Sequence, residues 1–293
     1  MEITASMVKE LREASGAGMM DCKKALVECN GDMNAAADWL REKGIAKSAK
    51  KESRIAAEGL ANIFIKGNKA VVLEVNSETD FVSKNEEFTG MIDTIGNAIL
   101  NSNAKDVEEA LELSCEEGTI KDLIVAKTAK IGEKLSLRRI AVIEKTDSEN
   151  FGSYLHMGGK IASLVVIEGA NEEIAREVAM HAAAMRPQYL NEAEVPADVL
   201  EKEKGFMRQD LINEGKPEDK IENILVGKVR KYYEDVCLEN QIYIKAENKE
   251  TVGKFLTNNN AKLVKMVRFE VGEGMEKRND NFAEEVMNQV NGN

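Results

Sequence analysis

Metal binding and nucleophilic catalysis would fall to two histidines, His156 and His181, and four cysteines, Cys22, Cys29, Cys115 and Cys237. Two histidines are too few for most metal sites or for a nucleophile–base–orienter constellation. The cysteines are scattered with no C-x-x-C pair, so they read as reduced, buried thiols. Phosphate chemistry fares no better. The stretch G16-A-G-M-M-D21 lacks the third glycine of a dinucleotide loop and follows a helical pattern where a strand is required. H156-M-G-G-K-I161 has no glycine five positions before Gly159 and no Ser or Thr after Lys160, so it is not a phosphate loop. The expectation is a protein that is not an enzyme and uses neither cofactor nor metal. The rival reading, a metabolic enzyme on an α+β core, finds no convergent polar constellation.

Composition narrows the partners. A net charge of −12 argues against nucleic acid or an anionic membrane as main partner, because both reward surplus Lys and Arg. No run approaches the length of a membrane-spanning segment. The N-terminus, M1-E-I-T-A-S-M-V-K-E-L-R12, is charged and helical rather than signal-like, which favours a cytoplasmic location. At 293 residues the chain has room for about two domains.

The periodicities predict an α+β fold. Residues 1 to about 44 read as three short helices resembling a ubiquitin-associated (UBA-like) module. Thr4 caps the first helix and Gly16 ends it; Asp21 caps the second; Asp32 caps the third, which stops at Gly44. K43-G-I-A-K-S-A-K-K-E-S-R54 carries five basic residues against one acid and reads either as a solvated linker or as a partner patch. I63-F-I-K-G-N-K-A-V-V-L-E-V75 is a hairpin, followed by a helix with Phe88, Met91, Ile92, Ile95 and Ile99 on one face. Y154 to I167 is a second hairpin around Gly158-Gly159, followed by a helix over 172–185 in which His181 is a core residue. Hairpin then helix, twice, indicates a duplicated unit.

L135-S-L-R-R-I-A-V-I143 closes the first copy, and V264 to V271 is a late strand. Between them, residues 187–233 form an inserted antiparallel helical hairpin broken at Gly215 and Pro217. The predicted domains are 1–54 (three-helix module and basic linker), 55–143 (core, first copy), 144–271 (core, second copy, with the insertion) and 272–293 (a C-terminal helical module). The last carries an amphipathic helix over F282 to V290.

One turn resists a purely local account. After the strand Val71–Val75, the run Ser77-Glu78-Thr79-Asp80 leads into Phe81 and Val82. Ser83 with Glu86 has the form of a capping box, which places Val82 where a hydrophobic staple would need an apolar residue at 87; that residue is Glu87. An alternative cap at Asn85 leaves the pair equally without a local partner. Phe81 either folds onto the core or stands out as an anchor for another protein's pocket, and the residues leave both open.

N76-S-E-T-D-F-V-S-K-N85 resembles the Thr-Asp-Phe-Val motif of the bacterial translation elongation factor Ts family. The resemblance extends along the chain through I3-T-A-S-M-V-K-E-L-R12, G16-A-G-M-M-D-C-K-K-A-L26, N30-G-D-M33, H156-M-G-G-K-I-A-S-L-V-V166, A179-M-H-A-A-A184, T251-V-G-K-F-L256 and R268-F-E-V-G-E-G274. It implies a guanine-nucleotide exchange factor that binds the GTPase elongation factor Tu. Thr79, Asp80, Phe81 and Val82 would be the segment that dislodges Mg²⁺: Phe81 wedges between helices of the GTPase, Asp80 hydrogen-bonds there, and Val82 packs inward on its own core. Arg12, Met19, Met20 and Lys23 match positions the family uses on the GTPase domain, although the Met pair could equally pack inside the module. His156 matches a partner-facing core position, and Lys51 is a further contact if the linker is not simply solvated. The resemblance implies no direct contact with nucleic acid or membrane, and the inserted hairpin could pair two copies of the chain. The rival from another class is a UBA-like adaptor that binds protein without touching any nucleotide.

Overall fold

The computed structural model describes residues 3–116 and 118–276. The chain divides into two compact units. Of the described residues, the first gathers those up to Phe64, those of 71–142 and those from Glu270 to Glu276; the second holds Ile65–Ala70 and Ile143–Phe269. Helices and small antiparallel sheets make the architecture α+β.

The first unit begins with three helices, α1 (Ala5–Ser15), α2 (Met19–Glu28) and α3 (Met33–Ala49). Thr4 caps α1 by accepting from the Met7 N–H, and Gly16 ends it in the left-handed conformation. Asp32 caps α3 through the N–H groups of Asn34 and Ala35. Val8, Leu11, Cys22, Ala25, Leu26 and Ala36 form their common core.

Two expectations about these helices need correction. Asp21 does not cap α2, which starts earlier with Gly18 as its cap; Asp21 sits in the first turn and pairs with Lys47 at 2.9 Å. Nor does α3 stop at Gly44. It runs to Ala49 and takes in half of the basic stretch, because α3 packs along a later helix, α6 (Ile120–Ile131), with Gly44 against Ala129 and Arg41 paired to Asp122 at 3.1 Å. Tertiary packing outweighs the roughly 1 kcal/mol that a glycine costs inside a helix.

Strands β1 (Glu58–Lys66) and β2 (Lys69–Ser77) form the first hairpin, and α4 (Glu86–Leu100) follows. Then come α5 (Val107–Leu111), the two-residue strands β3 (Ser114–Cys115) and β4 (Gly118–Thr119), α6, and β5 (Ser136–Glu144), which completes the sheet in the order β1-β2-β5. Thr119 and Asp122 form a capping box at the start of α6. Val71, Leu73 and Val75 of β2 meet Phe88, Met91, Ile92, Ile95 and Ile99 of α4 in one apolar core. Burying such side chains contributes roughly 1.5–3 kcal/mol each.

Helix and sheet approach so closely that Gly96 of α4 has no room for a side chain, since a Cβ there would lie 2.1 Å from the Phe64 ring. Gly96→Ala is therefore expected to destabilise the chain by about 2 kcal/mol through overpacking, despite alanine's better helix propensity. A lowered midpoint in thermal unfolding followed by circular dichroism checks it.

The second unit holds β6 (Glu149–His156) and β7 (Ile161–Glu168), paired antiparallel from Glu149 opposite Glu168 to His156 opposite Ile161. Helix α7 (Glu172–Met185) packs on both strands, with Gly152 pressed against the backbone of Ala175. Then follow α8 (Ala197–Asn213), α9 (Glu218–Val236), α10 (Val252–Asn258) and β8 (Lys262–Glu270), the last completing the order β6-β7-β8. Helices α8 and α9 pack on each other across the turn at Gly215, with Leu211, Ile221 and Leu225 buried and Arg208 paired to Glu222.

His181 is a core residue, as its Ala-rich setting suggested. Its Nδ1 accepts the Ile244 N–H at 3.1 Å, so the proton sits on Nε2 and is donated to Gln241 Oε1 at 3.1 Å. Burial pushes its pKa down and keeps the ring neutral. The amphipathic segment expected over 282–290 lies outside the described residues.

Candidate functional site

The connection from β2 to α4 carries the candidate site. Asn85, not Ser83, caps α4 by accepting the Glu87 N–H at 2.8 Å. The box over Ser83 and Glu86 fails because residues Phe81–Lys84 are wound into a single 3₁₀ turn, in which the Ser83 hydroxyl donates to the Asp80 carbonyl at 2.5 Å. This turn separates the two apolar neighbours. Val82 is buried in the core shared with α4, while Phe81 is 83% exposed. The core reading of Phe81 is thereby ruled out, and Val82 is the residue that roots the turn.

The rest of the turn is tied down from the side. Glu133, in the loop after α6, accepts the Thr79 N–H at 2.9 Å and the Thr79 hydroxyl at 2.6 Å. Glu78 accepts the Lys134 N–H at 2.6 Å and Arg54 at 3.2 Å. The Ser77 hydroxyl donates to the Thr79 carbonyl at 2.9 Å. Asp80 by contrast is exposed, and its carboxylate makes no hydrogen bond to the start of the turn it precedes. The turn thus displays a free carboxylate and an exposed aromatic on a backbone already held in place, an arrangement suited to entering a pocket on another protein.

Below the turn, Glu87 receives Lys130 at 2.7 Å and Lys127 at 2.9 Å. These hydrogen bonds outweigh the small effect of burial and bring its carboxyl down to about 2. The folded-state value lies below the unfolded one, so this α4–α6 tie contributes stability above about pH 4.5 and loses it as pH falls toward 2. Its exposure keeps the contribution small.

The other predicted contacts sit as follows. Met19 and Met20, in the first turn of α2, are 56% and 76% exposed, because Cys22, Ala25 and Leu26 occupy the buried face. The packed reading of the Met pair is therefore not what the helix adopts. Lys23 is exposed one turn further on, and Arg12 is exposed in the last turn of α1. Lys51 is half-buried just beyond α3. All of these belong to the first unit; His156 belongs to the second. It is exposed at the end of β6, beside Tyr154 and followed by an exposed Met157 with φ of 50°.

Sequence reasoning missed Glu133 and Glu78, which reach Thr79 and the Lys134 N–H across more than fifty positions and leave no local periodicity. It also missed Glu74, which is fully buried in β2. The Thr119–Asp122 box was in principle readable from its spacing. Among the described residues, no three His, Cys, Asp or Glu are grouped to hold a metal, and no helix is long and apolar enough to cross a membrane.

The family described as "Elongation factor TS" matches residues 78–273, a span that opens at the turn itself. Curated relatives match nearly end to end. Elongation factor Ts of Limosilactobacillus fermentum is 49% identical over 290 residues, covering 99% of each chain. Elongation factor Ts of Limosilactobacillus reuteri (strain DSM 20016) is 48% identical with the same coverage. A family match over two thirds of the sequence, with near-half identity across its whole length, shows that this chain belongs to the elongation factor Ts family.

Proposed function

We propose that this protein is the guanine-nucleotide exchange factor of translation elongation: it binds the GTPase elongation factor Tu, disturbs its Mg²⁺ and GDP, and promotes GDP release and GTP reloading in the cytoplasm. The single observation that carries this reading is the exposed Phe81 beside the unpartnered Asp80, on a turn tied down on its inner side. Phe81 enters between helices of the GTPase and Asp80 accepts a hydrogen bond there. Mg²⁺ requires near-ideal octahedral geometry and bridges the nucleotide phosphates to the GTPase. A small displacement of the elements that hold it weakens GDP binding. Linkage then requires that GTP and its Mg²⁺, on binding, weaken the factor's grip in return, which releases the factor. No bond is made or broken, and the chain needs no nucleophile or general base.

Met19, Met20, Lys23 and Arg12 form a second contact on the N-terminal module, whose three helices are UBA-like, with Lys51 supplementing it; His156, in the second unit, is a separate contact of the partner. Flexible Met side chains suit such adaptable contact. Replacing Met19 and Met20 together by alanine is expected to raise the factor concentration for half-maximal exchange about tenfold, the loss of roughly one buried side chain. The plateau rate should change little, because these residues bind without reaching the nucleotide site. The adaptor reading would place all binding in residues 1–54; an exposed aromatic outside that module favours exchange. The test is release of fluorescent GDP from elongation factor Tu with and without the intact chain. No acceleration would refute the proposal. Pairing of two copies through α8 and α9 would appear as a dimer in sedimentation.

A further inference from the structure

We propose that Glu133 is a positioning residue of the exchange turn, holding Phe81 ready through Thr79; the proposal rests on the exchange function above. Every polar group of Thr79 is engaged within the chain. Its N–H and hydroxyl go to the two oxygens of Glu133, at 2.9 and 2.6 Å, and its carbonyl accepts from Ser77. Thr79 therefore serves less as a contact for the GTPase than as the handle by which the turn is gripped. The grip is reciprocal: the loop containing Glu133 receives Glu78 in return on the Lys134 N–H. Each loop thus gives the other one carboxylate, Glu133 to Thr79 and Glu78 to the Lys134 N–H, which locks the loops together just beyond the ends of β2 and β5, neighbours in the sheet.

Glu133 directly follows Gly132, the left-handed cap of α6 (φ 91°), so its direction is set by the end of a packed helix. On the other side of Phe81 the turn is rooted by buried Val82. An aromatic on a loop fixed at both ends loses less conformational freedom on docking than one on a loose loop.

Freeing one end should therefore slow exchange without removing the aromatic. The full chain is assayed for acceleration of fluorescent GDP release from elongation factor Tu, with the folded fraction of each variant measured by circular dichroism. Glu133→Ala is expected to reduce the second-order acceleration about tenfold per folded molecule. Glu133→Gln should stay within about twofold, because the amide oxygen can accept the Thr79 N–H and its NH₂ can donate to the hydroxyl. In a Phe81→Ala background, Glu133→Ala should add less than about twofold, since there is no longer an aromatic to place. If Glu133→Ala fails to fold, Thr79→Val carries the test: it removes one of the two bonds at nearly constant shape and should cost about threefold.

Full activity of the removal variant tested would overturn the positioning role while leaving the exchange function standing. So would an equal loss with and without Phe81, which would show Glu133 acting independently of the turn. Failure of the unsubstituted chain to accelerate release would instead refute the exchange reading, and this proposal with it.

Discussion

Phe81→Ala is expected to reduce the acceleration of GDP release from elongation factor Tu by about thirty- to a hundredfold, while the chain itself unfolds at an unchanged temperature. Both halves follow from the position of the ring. It is 83% exposed, so the folded chain alone gains almost nothing from it and its removal leaves no cavity. Buried in a partner, a phenyl side chain contributes roughly 2–3 kcal/mol, and each 1.4 kcal/mol is a factor of ten in rate if the contact forms only as nucleotide is expelled. Stopped-flow release of fluorescent GDP at several factor concentrations measures the first half, and thermal unfolding the second. Val82→Ala should behave in the opposite sense. It truncates a side chain buried in the core shared with α4, so stability falls by about 1–3 kcal/mol before any direct effect on the partner arises. Equal exchange by Phe81→Ala and the unsubstituted chain would exclude the wedge.

Glu74→Ala should be among the most destabilising substitutions available in the first unit, at about 3–5 kcal/mol. The Glu74 carboxylate is fully buried in β2. It accepts from Arg138 at 3.0 Å, Arg139 at 2.6 Å, Asn76 at 3.0 Å and the Gly272 N–H at 2.9 Å. Alanine would remove the carboxylate shared by a buried N–H and two half-buried guanidinium groups, leaving the latter their bonds to Glu270 and Glu273, and would loosen the segment after Glu270 from the sheet it rejoins. Urea unfolding followed by circular dichroism reads the loss.

The same site sets a pH dependence. Burial by itself would push the Glu74 carboxyl up, but the hydrogen bonds from Gly272, Asn76, Arg138 and Arg139 together outweigh it and hold the group below its usual range. With the folded value below the unfolded one, this stabilisation is complete above about pH 4.5 and fades as pH falls below it. Unfolding midpoints should therefore decline on acidification more steeply for the unsubstituted chain than for Glu74→Ala. Parallel curves would show that the Glu74 carboxyl binds its proton alike in the folded and unfolded chain.

Much of this architecture was legible in residue order. Both hairpins, the α4 and α7 faces, the Thr4 and Asp32 caps and the breaks at Gly16 and Gly215 follow from turns, periods and caps written in short stretches of sequence. Gly44 reads as a stop until α6 is known to lie against it, and Ser83 reads as a cap until the 3₁₀ turn engages its hydroxyl elsewhere. Glu74 alternates with Val71, Leu73 and Val75 as though it faced solvent, yet β2 is buried on both faces from Ala70 to Ser77.

What the sequence by itself determined is the order of the elements and, through several separated motifs, the family. Helical and strand periods and caps are short-range properties, set by local sterics and the nearest hydrogen bonds. Only the tertiary structure decided that Phe81 points outward while Val82 points in, and that Thr79 is gripped by Glu133 from 54 positions away. Those outcomes depend on which distant carboxylate, helix end or apolar face the fold brings alongside, and no local pattern encodes that.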